Sequence, residues 1–125
     1  MARDRYRIID ATKPHFITCT VVQWLPLFAS RAAAQILIDS LTFMQQEGRL
    51  ALYAYVIMEN HLHLVAEGDE LAKQIGHFKS YTARSIIDNL KQKKAKNVLK
   101  MLNYYKLRHK SDRDYQLWQE GSHPI

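Results

Sequence analysis

Apolar residues recur along this chain with two different spacings. Residues 15–22 (HFITCTVV) combine β-branched and aromatic side chains directly after Pro14, a composition typical of a β strand. Between Ser30 and Gly48 the apolar positions return every three or four residues, which predicts a helix with Ser30 as its N-cap and Gly48 as its end. The apolar face of this helix comprises Ala34, Leu37, Ile38, Leu41 and Met44.

The middle of the chain predicts a β hairpin followed by helices. Residues 50–65 (LALYAYVIMENHLHLV) form two apolar stretches separated by Glu59 and Asn60, and neither stretch has room for a helix. Helical spacing returns over residues 69–91, and a more basic helix is expected over about 94–107. Leu117 and Trp118 indicate a short final strand. One face of the first of these two helices comprises Leu71, Ile75, Phe78, Thr82, Ile86 and Leu90.

This order of elements predicts an α+β fold, in which an antiparallel sheet of the ferredoxin-like type carries helices on one face. A chain of 125 residues with 47% hydrophobic content predicts one domain over residues 1–125. The single cysteine, Cys19, excludes a disulfide framework and favours a reducing compartment. Since neither a signal peptide nor an apolar span is seen, we expect a cytoplasmic protein without a membrane partner.

Positive charge is concentrated in the second half of the chain. The formal net charge is +6, and twelve of the 18 Lys and Arg residues lie between residues 73 and 113. A block of this kind is typical of a surface that binds phosphates, although solvated helix faces also carry many lysines. Tyr81, Tyr104 and Tyr105 lie within the same block, where tyrosines either stack on unpaired bases or belong to a half-buried core.

Two histidines lie in the second arm of the predicted hairpin. Side chains of a strand alternate between faces, so His61 and His63 should project side by side while Leu62 and Leu64 point to the other face. Neutral imidazoles bind divalent metal ions, which polarise phosphoryl oxygens, but surface strands also carry such pairs without any function. Mg²⁺ or Mn²⁺ suits a mixed nitrogen and oxygen ligand set. Candidates for a third ligand are Glu59, Asn60, Gln119 and His123.

Several segments together resemble one known family. Residues 53–68 (YAYVIMENHLHLVAEG), the opening strand HFITCTVV, residues 75–86 (IGHFKSYTARSI) and residues 115–124 (YQLWQEGSHP) are similar, in order and spacing, to the REP-associated tyrosine transposases. These belong to the HUH-type single-strand transposases of small bacterial insertion sequences. The family's Met-Pro-Asn-His-x-His turn corresponds here to residues 58–63, with Glu59 in place of proline.

The resemblance implies DNA transposition on hairpin-bearing single-stranded DNA. His61 and His63 would hold Mg²⁺ or Mn²⁺ against the scissile phosphate, and a tyrosine hydroxyl would attack to form a phosphotyrosine link to the 5′ end. Some relatives form dimers, so a homodimer is among the expectations. Expected DNA contacts on the basic helices are Lys79, Tyr81, Arg84, Lys91, Lys93, Lys94, Lys96 and Lys100.

The family's nucleophile has no counterpart in this sequence. In relatives the tyrosine lies on a helix after the Trp-Gln-x-Gly strand, whereas this chain ends at Ile125, so we expect a truncated member with impaired activity. Tyr115 is the remaining candidate, although its position before the matched strand favours a structural role. Two alternatives to an enzyme stay open: a nucleic-acid-binding module without catalysis, and a decayed transposase remnant.

Overall fold

The elements follow the predicted order as far as the last helix. The computed structural model of the protein describes residues 13–106 and 113–120. The first strand, predicted over residues 15–22, ends two residues earlier, at Thr20. The chain then leaves the sheet and enters a short 3-10 turn at Val22–Trp24. The elements are β1 His15–Thr20, α1 Arg31–Gln46, β2 Ala51–Ile57, β3 His61–Glu67, α2 Leu71–Gln92 and α3 Lys96–Tyr104.

The sheet has the strand order β1-β3-β2, and β3 pairs antiparallel with both neighbours. The predicted final strand at Leu117 and Trp118 is wrong for the described residues, since Trp118 forms only one isolated bridge, with Val21. β1 ends at Thr20, just before the bridge. Only two backbone hydrogen bonds flank the bridge, from the N–H of Val22 to the carbonyl oxygen of Leu117 and from the N–H of Gln119 to that of Thr20. This bridge lies on the side of β1 that faces away from β3. The sheet therefore keeps the predicted ferredoxin-like layout, with a single bridge in the place of a fourth strand.

The helices cover one face of the sheet and leave the other face open. On β3 the buried residues are Leu62, Leu64 and Ala66, whereas the odd-numbered residues between them are only partly covered. The predicted inner face of α2 is confirmed: Leu90 is partly buried and the other residues are buried. The α+β fold with helices on one face is therefore confirmed.

Local signals set the ends of the helices. The hydroxyl of Ser30 accepts a 3.3 Å hydrogen bond from the backbone N–H of Ala33, which confirms the predicted N-cap. Gly48 adopts a φ of 69° just after α1, a conformation that glycine allows without strain. α3 begins two residues later than predicted, because Lys94 takes a left-handed φ of 58°. The predicted end of this helix, Leu107, lies outside the described residues.

Trp118 fixes the last described segment to the core. Its ring lies between Phe28 and Phe78, with centroid distances of 5.4 and 6.2 Å. Its indole N–H donates a 3.1 Å hydrogen bond to the buried hydroxyl of Thr82 on α2. Across the described residues, no helix is both long enough and apolar enough to cross a lipid bilayer.

Candidate functional site

The two histidines of β3 lie side by side on the open face of the sheet. Their ring centroids are 4.6 Å apart, with an interplanar angle of 77°. Leu62 lies between them in sequence and is completely buried on the opposite face. The strand alternation read from the sequence therefore places both imidazoles correctly, in a position that solvent and a ligand can reach.

Hydrogen bonds orient both rings. The side-chain oxygen Oδ1 of Asn60 lies 2.7 Å from Nδ1 of His61. An amide oxygen only accepts, so Nδ1 carries the proton and Nε2 of His61 keeps its lone pair. The amide group of Asn60 faces the carbonyl oxygen of Trp24 at 3.5 Å, which supports this orientation. Nδ1 of His63 lies 3.0 Å from the hydroxyl of Thr18, which can donate or accept; when Nδ1 is the donor, Nε2 of His63 keeps its lone pair as well.

The electrostatic surroundings keep His61 neutral. Burial of the ring, and then the neighbouring His63, lower the pKa of His61 from its ordinary value of 6.5. A neutral imidazole is the form that binds a metal ion, because protonation removes the lone pair. The lowered pKa therefore favours the neutral form of His61 at neutral pH.

The donor set fits a divalent cation held at an open site. Two imidazole nitrogens come from the protein, while no cluster of three or more His, Cys, Asp or Glu residues is found in the part of the chain that the structure describes. Asn60 is already engaged with His61, and Glu59 is exposed in the turn. Gln119 joins the end of β1 through its backbone, and His123 lies outside the described residues. Water and phosphate oxygens suit the remaining positions around Mg²⁺ or Mn²⁺.

Aromatic side chains border the histidines, and the sequence reasoning missed them. The ring of Phe16 contacts His63 at a centroid distance of 5.3 Å, and Trp24 contacts His61 at 6.4 Å. Strand alternation from Thr18 would have placed Phe16 on this face. No comparable signal marks Trp24, because it lies beyond the strand, where Gln23 and Trp24 adopt left-handed φ values of 53° and 56°. Such values cost about 1–2 kcal/mol for each non-glycine residue.

Lys79 is the predicted DNA-contacting residue that the structure brings toward the histidines. Its ammonium group donates a 3.4 Å hydrogen bond to the carbonyl oxygen of Gln119. The backbone N–H of Gln119 in turn bonds the carbonyl oxygen of Thr20, which pairs with His61 in the sheet. Positive charge from α2 thus reaches the end of the sheet where the histidines lie.

The other predicted contacts lie on the helical layer. Tyr81 is 56% exposed and lines a cleft of about 420 Å³ between α1 and α2, together with Phe43 and Arg49. Arg84 is exposed one turn further along α2. The remaining predicted contacts surround the junction of α2 and α3, and all of them are exposed: Lys91, Lys93, Lys94, Lys96 and Lys100.

Tyr115 belongs to this same junction. The ammonium group of Lys91 lies over its ring, 5.5 Å from the centroid, and the ring is partly buried. Within the described ranges, no tyrosine stacks on or hydrogen-bonds to either histidine; their partners are Thr18, Asn60, Phe16 and Trp24. The contacts of Tyr115 are therefore those of a packing residue.

Comparisons with known proteins identify the fold. No protein-family model and no curated protein matches the sequence. A crystal structure of a candidate transposase from Deinococcus radiodurans has a TM-score of 0.58 and 15% identity, and the alignment covers 100% of this chain and 85% of that one. A REP-associated tyrosine transposase bound to a REP hairpin has a TM-score of 0.58 and 16% identity, over 100% of this chain and 62% of that one. At such identities the likeness shows the fold, which agrees with the fold that the resemblance implied.

Proposed function

We propose that this chain is a member of the HUH-type single-strand transposases and acts in DNA transposition by binding hairpin-bearing single-stranded DNA. The observation that carries the proposal is the pair of imidazoles on the open face, His61 held by Asn60 so that its Nε2 is available and His63 held by Thr18. The structural neighbour with a bound REP hairpin supports this class of DNA as the partner.

His61 and His63 would hold the divalent cation. Bound there, Mg²⁺ or Mn²⁺ supplies polarisation of a phosphoryl oxygen, which a hydroxyl nucleophile needs for attack on a phosphodiester. The side chain of Asn60 fixes the tautomer and orientation of His61, and the hydroxyl of Thr18 orients His63, a role that second partners of metal-binding histidines commonly have. In the proposed cleavage a tyrosine oxygen forms a bond to phosphorus and the bond from phosphorus to the 3′ oxygen of the DNA breaks, while the tyrosine proton passes to that leaving oxygen, which gives a 5′ phosphotyrosine and a free 3′ hydroxyl.

The basic residues of α2 and of the α2–α3 junction form a row along which a bound DNA strand would extend from this site. Trp118 connects the end of β1 to Thr82, so α2 passes the end of the sheet near its own midpoint. The rest of α2, as far as Gln92, extends beyond that point by about 15 Å at 1.5 Å per residue. Lys79 lies near the start of this row and the lysines of the α2–α3 junction lie at its end. A DNA hairpin would contact both groups through its phosphates.

The test is metal-dependent binding and cleavage of a labelled hairpin with a single-stranded flank. Wild-type protein should bind it more tightly with Mn²⁺ than with EDTA, and His61→Ala combined with His63→Ala should remove that difference. His77→Ala is the matched control, because His77 is a histidine on the helical layer, away from the open face. Equal binding with and without Mn²⁺ in the wild type would reject the proposal.

A binding module without catalysis is the second candidate, favoured by the absence of a tyrosine contact to either histidine within the described residues. A denaturing gel, which retains only covalent links between protein and DNA, distinguishes the two functions. A covalent adduct between protein and labelled DNA, formed only with metal, identifies a transposase. Metal-dependent hairpin binding without an adduct assigns the chain to the binding class.

A further inference from the structure

A large aromatic side chain stands in solvent directly beside the paired histidines. Trp24 is 59% exposed, whereas the other tryptophan, Trp118, is only 6% exposed. The ring of Trp24 meets that of His61 at an interplanar angle of 75°, so the two rings do not stack on one another. The indole therefore keeps room for a flat partner next to the candidate metal site.

The backbone holds Trp24 in this position. Gln23 and Trp24 are successive non-glycine residues with left-handed φ values, a conformation that persists where the surroundings dictate it and that is common at functional sites. The N–H of Trp24 donates to the carbonyl oxygen of Val21 at 3.0 Å, and its own carbonyl oxygen accepts from the side chain of Asn60. Since Asn60 also orients His61, the tryptophan and the histidine belong to one hydrogen-bonded unit.

We propose that Trp24 is a stacking platform for an unpaired nucleobase whose neighbouring phosphate lies at His61 and His63, an inference that rests on the proposed function. An indole offers a π surface to any base, but only an unpaired base presents a free face of its own. The platform therefore favours single-stranded over double-stranded DNA at the histidine site, and it positions the strand without contacting the reacting phosphate.

The surroundings of Trp24 favour a nucleic acid over a protein or lipid partner. Protein and membrane docking surfaces are contiguous apolar patches. The contacts of Trp24 outside its own turn are instead with the polar residues Asn60 and His61, and the ammonium group of Lys79 bonds Gln119 at the same end of the sheet. An exposed aromatic ring beside polar groups that can meet a phosphate is typical of sites that bind single strands.

Tryptophan fluorescence and binding affinity test the proposal on the intact chain. The probes are an unstructured single-stranded oligonucleotide of about 12 nucleotides and a blunt duplex of the same sequence. Both are titrated in EDTA, so that the result does not depend on metal. Single-stranded DNA should quench the emission of the exposed Trp24, and Trp24→Ala should remove the quenching and weaken binding by about 5- to 150-fold.

Two further variants make the result specific. Trp24→Phe keeps an aromatic face and should retain affinity within a few-fold of the wild type. Phe43→Ala removes a ring that is 50% exposed on the helical layer and should leave affinity for the single strand unchanged. Duplex binding should be equal in the wild type and in Trp24→Ala.

The outcomes separate this inference from the proposed function. Wild-type affinity for the single strand in Trp24→Ala, with unquenched emission in the wild type, overturns the platform while leaving metal-dependent hairpin binding intact. Loss of affinity in Trp24→Ala that Trp24→Phe does not restore also overturns stacking. No binding of single-stranded DNA by the wild type in EDTA also overturns the platform, but not the proposed function, because hairpin binding is measured with Mn²⁺.

Discussion

Asn60, the last residue before β3, and His61, the first residue of β3, are joined by a 2.7 Å hydrogen bond between Oδ1 and Nδ1. This bond fixes the tautomer that leaves Nε2 of His61 available, and the other end of the same amide reaches the carbonyl oxygen of Trp24. Asn60 is thus the residue that connects His61, the proposed metal ligand, to the aromatic ring of Trp24.

Replacement of Asn60 should therefore weaken metal binding without removing a ligand. Asn60→Ala leaves Nδ1 of His61 without its acceptor, and loss of such a partner typically lowers metal affinity by about 10- to 100-fold. The measurement is Mn²⁺ binding followed by electron paramagnetic resonance. Asn97→Ala, an exposed asparagine on α3, should bind Mn²⁺ like the wild type. Unchanged affinity in Asn60→Ala would show that the hydrogen bond does not orient the ligand.

The titration of His61 should occur below its ordinary pKa in the metal-free protein. Burial and the neighbouring His63 lower its pKa in the folded state, so the folded chain binds fewer protons there than the unfolded chain. The contribution of His61 to the free energy of unfolding is accordingly present above pH 6.5 and is lost as the pH falls through the folded-state pKa. Proton NMR of the ring measures this pKa directly. His63→Gln should raise it part of the way, and a His61 pKa above 6.5 in the wild type would contradict this expectation.

The two tryptophans should differ sharply in their effect on stability. Trp118→Ala removes a buried ring between Phe28 and Phe78 and should lower the free energy of unfolding by about 3–5 kcal/mol. Trp24→Ala changes an exposed ring, and surface substitutions usually alter stability within about 0.5 kcal/mol. Urea denaturation of both variants makes the comparison. Similar losses in both would mean that Trp24 is a core residue.

The salt dependence of DNA binding should report how α2 neutralises phosphates. Lys79→Ala combined with Arg84→Ala should reduce the slope of log affinity against log salt by about 0.7 for each single-strand phosphate that the variant no longer neutralises. Lys73→Ala is the control, because Lys73 pairs with Glu70 at the start of α2, 3.6 Å away. An unchanged slope in the double variant would remove both residues from the interface.

Much of the fold follows from spacing alone. The period of two in β3 and the three-to-four spacing of α2 determine which side chains are buried there, and Ser30 and Gly48 mark the ends of α1. The predicted face of α1 is right for Leu37, Leu41 and Met44, whereas Ala34 and Ile38 are only partly covered. Ala33 and Ser40 are buried in addition. The last segment was less predictable. Leu117 and Trp118 have strand-like character, but Trp118 is buried against Phe28 and Thr82 on other elements, and tertiary contacts of this kind leave no local pattern.

The candidate site, too, was predictable from the sequence only in part. Alternation along β3 placed His61 and His63 together, whereas the partners that orient them come from β1, from the turn before β3 and from a left-handed segment after β1. Trp24 could not be identified from sequence, because its position depends on backbone torsions that non-glycine residues seldom adopt.

The metal site itself is best tested by the stoichiometry of Mn²⁺ binding to the wild type and to single variants of the two histidines, measured by electron paramagnetic resonance in the presence of single-stranded DNA. We predict one bound Mn²⁺ per chain in the wild type and in His77→Ala, and a loss of that ion in His61→Ala and in His63→Ala alike. Equal Mn²⁺ binding in all four proteins would contradict the claim that these two imidazoles form a metal site.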